Sequence, residues 1–213
     1  FDDHLFLVMQ FPLFNHKSRI TLPSEVDIFV GATCLVTVHS STLHPLTKLF
    51  NDCEQSDEVR RQVLGSSSGL LLYRILDGLI DYCFPIVNRI IANVNTIEER
   101  LFDTRERGIV REMALVRRDI ISYRRVVRPM FDVLEELEEK EFPLLRVDPD
   151  IYFGDLVDHL RRIWGELEDM KEVIESLHDT HASLATHRNN DIVRALTGAA
   201  TLVLPFLALA SLY

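Results

Sequence analysis

The pattern of apolar and polar positions divides the chain into a short β-like part and a long helical part. Residues 4–11 are rich in aromatic and branched side chains and end at Pro12. Residues 25–30 alternate apolar with polar, and residues 34–39 resume after Gly31-Ala32-Thr33. Two such runs around a short glycine-containing turn predict a hairpin, and the first run completes a small antiparallel sheet. A short helix is expected over 43–49, where His44-Pro45 suits a helix start. Another is expected over 57–64, ended by Gly65-Ser66-Ser67-Ser68-Gly69.

From Leu70 onward the apolar spacing is three and four, carried first by Leu72, Ile75, Leu76, Leu79 and Ile80. The pattern predicts a helix from 70 to about 107, kinked or locally broken at Pro85. A further helix is predicted from 109 to about 141, with Pro129 as a second candidate kink. Its charge changes sign, basic from Arg105 to Arg128 and acidic from Asp132 to Glu141, which reads as two solvated faces pairing with neighbouring helices. Two prolines in 142–149 end it. From Asp150 to Tyr213 only Pro205 interrupts the pattern, and a continuous helix of that length is a rod on the order of 95 Å.

The rod carries two stripes. Phe153, Leu156, Leu160, Ile163, Leu167, Met170, Ile174, Leu177, His181 and Leu184 alternate by three and four, the seam of a coiled coil or bundle. Trp164 and Met170 need no cofactor to explain them. The second stripe is Asp179, Ser183, Thr186, Asn190, Val193, Thr197, Ala200, Leu204, Leu207 and Ser211, polar or small at first and apolar further on. It fits close packing in a membrane helix and equally the lining of a pore on the axis of a parallel ring. Sequence alone does not choose between them.

Composition sharpens this division. The chain has 213 residues with 23 Lys+Arg against 33 Asp+Glu, a net charge of −10 that argues against a nucleic-acid binder. Hydrophobic residues at 47% exclude global disorder. Residues 195–213 hold no charge, so the acidity belongs to what precedes them. That uncharged run is long enough to enter a bilayer and nearly long enough to cross it. Arg188 and Arg194 just before it place this end at the cytoplasmic side by the positive-inside rule. Cys34, Cys53 and Cys83 are odd in number and form no CxxC pair, which fits a reducing compartment without disulfides. The chain opens at Phe1 without a charged-then-apolar leader, the pattern of an internal piece of a longer protein.

Several stretches together resemble the CorA-type divalent metal ion transporters. They are Asn189-Asn190-Asp191-Ile192-Val193-Arg194-Ala195-Leu196-Thr197 with Thr201, Leu204-Pro205 and Tyr213, the segment from Tyr152 to His159, and the segment from Leu72 to Asp81. The family continues past the tyrosine with Gly-Met-Asn. The resemblance implies an α+β fold: a small antiparallel sheet with helices (an αβα cytoplasmic domain), then long helices, the last a stalk running into a transmembrane helix. The implied divisions are 1–69 for part of the N-terminal domain, 70–148 for a helical hairpin of the funnel, 149–194 for the stalk and 195–213 for the first membrane segment.

The resemblance further implies a homopentameric channel in the inner membrane, in contact with lipid, with residues before about 190 in the cytoplasm. It implies Mg2+, with Co2+ or Ni2+ in some members and Zn2+ in a ZntB-like branch, as both cargo and regulator, and no organic cofactor. Mg2+ dehydrates reluctantly, so amide and hydroxyl rings can hold its water shell. By the matched motif Asn190 forms a polar ring in the ion path and Asp179 an acidic ring in the stalk. Val193, Leu196, Ala200, Leu204 and Leu207 line the pore and gate. Asp77 and Asp155 match positions that bind regulatory ions between subunits, although as bare sequence they read as exposed helix carboxylates.

Rival readings remain. His178 with His181, and Asp155 with His159, have the spacing of ligand pairs on one helix face, but nothing nearby in sequence supplies further ligands. No GxSxG, P-loop, GxGxxG or HExxH occurs, which argues against an enzyme. A membrane-anchored coiled-coil sensor or scaffold explains the rod and tail without transport.

Overall fold

The computed structural model describes residues 4–40, 42–101 and 108–210. Three antiparallel strands, β1 (His4–Asn15), β2 (Ile20–Gly31) and β3 (Leu35–His39), form a sheet in the order β1-β2-β3. Six helices follow: α1 (His44–Gln55), α2 (Asp57–Leu64), α3 (Ser68–Asp81), α4 (Cys83–Arg100), α5 (Ile109–Glu139) and α6 (Pro149–Ala210). The class is α+β, as the sequence pattern and the resemblance imply.

The strands are longer than their patterns. β1 runs through Pro12 to Asn15, and β2 starts at Ile20 and runs through Pro23. The register explains why neither proline stops its strand, since Pro12 faces Pro23. Opposed residues in an antiparallel pair exchange either two hydrogen bonds or none, and two residues without N–H fit only the second kind. Phe6 and Phe29 share that parity, and their rings stack with centroids 4.3 Å apart. The expected hairpin across 31–33 is present between β2 and β3, closed by Gly31 N–H donating to the Cys34 carbonyl at 2.8 Å.

One face of the sheet is core. Leu7, Met9, Phe11, Val26, Ile28 and Val30 are buried with α3, α4 and α5 apolar residues. Among the described residues the opposite face, with Phe6, Val8, Phe29, Val36 and Val38, stays exposed.

The expected helix at 43–49 extends to Gln55, because Ser56 supplies the next break: its side chain caps α2 by accepting from Val59 N–H. The pattern from Leu70 is two helices. α3 ends at Asp81, Tyr82 separates it from α4, and Pro85 lies in the first turn of α4. Pro85 has no N–H for the carbonyl four residues back, which is that of Asp81. Residues 102–107, where the sequence pattern continues this helix, lie outside the described residues, as does Arg105. Pro129 lies inside a continuous α5, which ends at Glu139.

A buried polar cluster fastens the β1–β2 hairpin to the helices. Asp119 of α5 accepts the Thr21 N–H at 2.5 Å and an Arg89 N–H at 2.8 Å. The Ser122 hydroxyl donates to the Thr21 carbonyl at 2.6 Å, and the Arg89 guanidinium stacks 3.1 Å from the Phe14 ring centroid. Outside the core, Arg19 makes a two-pronged bond to Glu112, at 3.0 and 2.7 Å.

α6 is the rod. Its 62 residues span about 93 Å. Phe153, Leu156, Leu160, Ile163, Leu167, Ile174 and Leu177 are buried against α3, α4 and α5, as the seam requires. Met170, His181 and Leu184 are half-buried, and residues 185–207 are all exposed. The helix therefore leaves its own domain beyond Leu184.

Candidate metal centre

Two features assemble where α3 and α6 meet. Asp77 and Asp81 lie four residues apart at the C-terminal end of α3, so both carboxylates project from one side. Asp155 and His159 lie four apart near the head of α6, a helix held against α3 by Phe153, Leu156 and Leu160. The packing brings one ligand atom each from Asp77, Asp81 and His159 within 4.8 Å of one another. Asp155 stands beside them, with Oδ1 3.9 Å from His159 Nε2.

Aromatic residues frame the cluster. The Tyr73 hydroxyl donates to Asp155 Oδ2 at 3.1 Å, and its ring meets that of Tyr152 edge-on at 5.1 Å. The Phe84 ring meets His159 edge-on at 6.0 Å. Burial, followed by the Asp81 charge, raises the Asp77 pKa above the usual carboxylate range, with Asp155 adding to the effect and His159 opposing it. Burial and the Asp77 charge push the Tyr73 phenol up to about 12, so it remains a donor at neutral pH.

Asp77 and Asp155, each expected from the resemblance to bind ions between subunits, lie near one another within the one chain. Asp81 and Tyr73 were not singled out as functional from the sequence, and His159 was weighed only with Asp155. The signal for Asp81 was its spacing of four from Asp77 at the end of a helix. The joining of His159 to that pair depends on helix packing, which spacing alone does not reveal. His178 is exposed and His181 half-buried, and among the described residues neither joins a group of three potential ligands.

The residues expected to line the ion path behave differently. Asp179, Asn190, Val193, Leu196, Ala200, Leu204 and Leu207 are all exposed on α6. None packs into the chain's own core, and the apolar ones are conspicuous: Leu196 is 65% exposed and Leu204 64%. Thr197 and Thr201 turn their hydroxyls to carbonyls one turn back, at 2.8 Å each. Among the described residues no helix is long and apolar enough to cross a membrane. Of the expected membrane segment 195–213, residues 211–213 lie outside the described residues, Ser211 among them.

The chain belongs to the CorA-like Mg2+ transporter protein family, whose model matches residues 1–213. A putative metal ion transporter of Bacillus subtilis, YfjQ, is 29% identical over 96% of this chain and 63% of its own length. The cobalt/magnesium transport protein CorA of Thermotoga maritima is 21% identical over 100% of this chain and 60% of its own. A zinc transport protein ZntB of Yersinia enterocolitica is 22% identical over 94% and 59%. The solved CorA magnesium transporter of Methanocaldococcus jannaschii superposes with a TM-score of 0.79 at 22% identity, covering 92% of this chain and 60% of that one. The chain spans about three fifths of the length of the curated relatives it matches.

Proposed function

We propose that this chain forms the cytoplasmic funnel and the start of the pore-lining helix in a homopentameric divalent cation channel, with Mg2+ as its principal cargo. The observation that carries the proposal is the exposed stripe on α6. Polar Asp179 and Asn190 give way to apolar Val193, Leu196, Ala200, Leu204 and Leu207 on a helix that has left its own domain. An isolated helix gains nothing from such a stripe in water. A ring of parallel copies uses it, with Asn190 amides meeting the ion's water shell and the apolar levels excluding water when closed. The arginines at 188 and 194 support a cytoplasmic position for everything before them.

Regulation follows from the acidic head of the stalk. Divalent ions at Asp77 and Asp155 neutralise like charges between protomers and favour the closed ring, and their loss lets protomers separate and the pore wet. The cobalt/magnesium and magnesium transporters among the relatives support Mg2+ or Co2+ as cargo, and ZntB supports Zn2+ as the alternative.

Ion flux through the complete protein in liposomes tests the proposal. Mg2+ uptake is expected, with Leu196→Asn raising leak and Asn190→Ala lowering Mg2+ flux. A complete protein that moves no divalent ion defeats the transport reading in favour of a sensor or scaffold, and proton-coupled Zn2+ flux without Mg2+ flux replaces the cargo. Mg2+-dependent protease protection that survives Asp155→Ala unchanged defeats the regulatory role.

A further inference from the structure

We infer that the serine-rich turn before α3, together with Arg146, forms a binding site for a phosphate group carried by a small dissolved molecule. The inference does not rest on the transport reading. In sequence, Gly65-Ser66-Ser67-Ser68-Gly69 is no more than a break between two helices. In the fold its three serines border a cleft of about 540 Å³, with the β2–β3 turn and Arg146 on the other sides.

The start of α3 supplies donors. The helix has 14 residues and no acidic side chain in its first turn, so none of its own carboxylates offsets the positive end of the backbone dipole there. Two of its first three N–H groups are used: Gly69 donates to the Leu145 carbonyl at 3.2 Å, and Leu70 to Ser67 Oγ at 3.2 Å. The Ser68 N–H is left for a ligand, as at helix starts that hold phosphate. The Ser67 hydroxyl accepts from Leu70 and keeps its own proton to donate.

A helix start alone does not make a site, and Ser68 supplies the second observation. The residue is 7% exposed and lines the cleft, yet its Oγ is buried with no hydrogen-bond partner. Buried hydroxyls ordinarily have one, because an unmade bond carries the full cost of desolvation. An anion oxygen in the cleft answers that hydroxyl and the Ser68 N–H together.

Arg146 supplies the charge. It is exposed, and among the described residues it forms no ion pair. No carboxylate lines the cleft. The loop that carries Arg146 is held against α3 because Gly69 admits the Leu145 carbonyl, whose oxygen would lie 2.3 Å from an added Cβ. A guanidinium takes phosphate oxygens through paired, charge-assisted bonds. Leu35, Leu64 and Leu71 add an apolar wall, and the volume is that of a small-molecule site, which favours an organic phosphate over the free ion. The uncharged stretch of α6 begins about 70 Å along the rod from this end, so the carrier is a dissolved molecule and not a lipid headgroup.

Isothermal titration calorimetry on the full chain in detergent, with EDTA present so that no metal bridges the anion, tests the site. Inorganic phosphate should bind once per chain, adenosine monophosphate more tightly, and adenosine not at all. Adenosine monophosphate no tighter than phosphate reassigns the site to the free ion and leaves its phosphate chemistry standing. Arg146→Gln, shown to be folded by circular dichroism, should lower both affinities at least about tenfold, the loss of a hydrogen bond to a charged group. Ser68→Ala should lower them about threefold or more. Without phosphate it should melt no lower than wild type, because it removes a hydroxyl that nothing satisfies. The absence of phosphate binding at millimolar concentrations overturns the proposal. So does affinity unchanged in either folded variant, or adenosine bound as tightly as its monophosphate.

Discussion

The Tyr73 hydroxyl on α3 donates to Asp155 Oδ2 on α6 across 3.1 Å. The bond ties α3 to the head of the rod. It also occupies one oxygen of the carboxylate proposed above to hold a regulatory ion. Because burial and the nearby Asp77 charge push the phenol up to about 12, neutral buffers do not break it.

Tyr73→Phe removes the donor and keeps the ring against Tyr152. The expected stability loss is about 1 kcal/mol, that of one hydrogen bond at a partly exposed site. The freed Asp155 oxygen should lower the Mg2+ concentration that half-protects the complete protein from protease. An unchanged or higher midpoint would show that the phenol does not compete with the ion.

Asp119 is the structural counterpart, a carboxylate that serves the fold. It is 3% exposed and takes both the Thr21 N–H and Arg89. Asp119→Ala leaves Arg89 without its counter-charge and Thr21 N–H without its acceptor. A loss of about 3 kcal/mol or more is expected, since removing one partner of a buried pair strands the other. Urea denaturation followed by circular dichroism measures it. The Arg89→Met/Asp119→Leu double variant should lose less than the sum of the two single changes, because it strands no charge.

Much of this architecture can be read from the residues, and the gaps have physical causes. The seam from Phe153 to Leu177 follows from period alone, because a helix buried along one side must repeat its apolar positions. The two strands overran their predicted ends because Pro12 and Pro23 fall at a position of the ladder that needs no N–H from either, and register is not visible in either strand by itself. The division of the helix near Pro85 was expected, but its exact place depends on which carbonyl loses its donor. Asp77 and Asp155 were reached through family resemblance. Asp81 was missed because its meeting with His159 is made by the packing of α3 on α6.

Two glycines inside helices should respond oppositely to alanine. Gly69 lies in the first turn of α3, where its N–H donates to the Leu145 carbonyl at 3.2 Å. A Cβ there would sit 2.3 Å from that carbonyl oxygen and 2.9 Å from its carbon, a clash with backbone that no rotamer relieves. Gly69→Ala should cost about 1–3 kcal/mol, as overpacking does. Gly165 lies inside α6 with no heavy atom within 4 Å of an added Cβ. Gly165→Ala should therefore gain about 0.5–1 kcal/mol from helix propensity. Thermal melts of the two variants should move in opposite directions.

The Arg19–Glu112 pair gives the fold a measurable acid sensitivity. Arg19, at φ 54 in the β1–β2 turn, reaches Glu112 in the first turn of α5 with two bonds. The hydrogen bond from Arg19, with its charge, holds the Glu112 carboxyl below the usual range. A carboxyl whose folded-state pKa is depressed stabilises the fold above its unfolded-state value and loses that contribution as pH falls through the folded one. Arg19 is exposed and Glu112 partly so, so solvent screening keeps the effect modest, within about 1 kcal/mol. Glu112→Gln should lower the melting temperature slightly at pH 7, and the variant and wild type should converge as the pH drops below the carboxylate range. Adding salt at pH 7 should narrow the same gap, since screening weakens an exposed pair. A difference between the two proteins that is constant from pH 7 down to pH 3 would assign Glu112 a packing role instead of an electrostatic one.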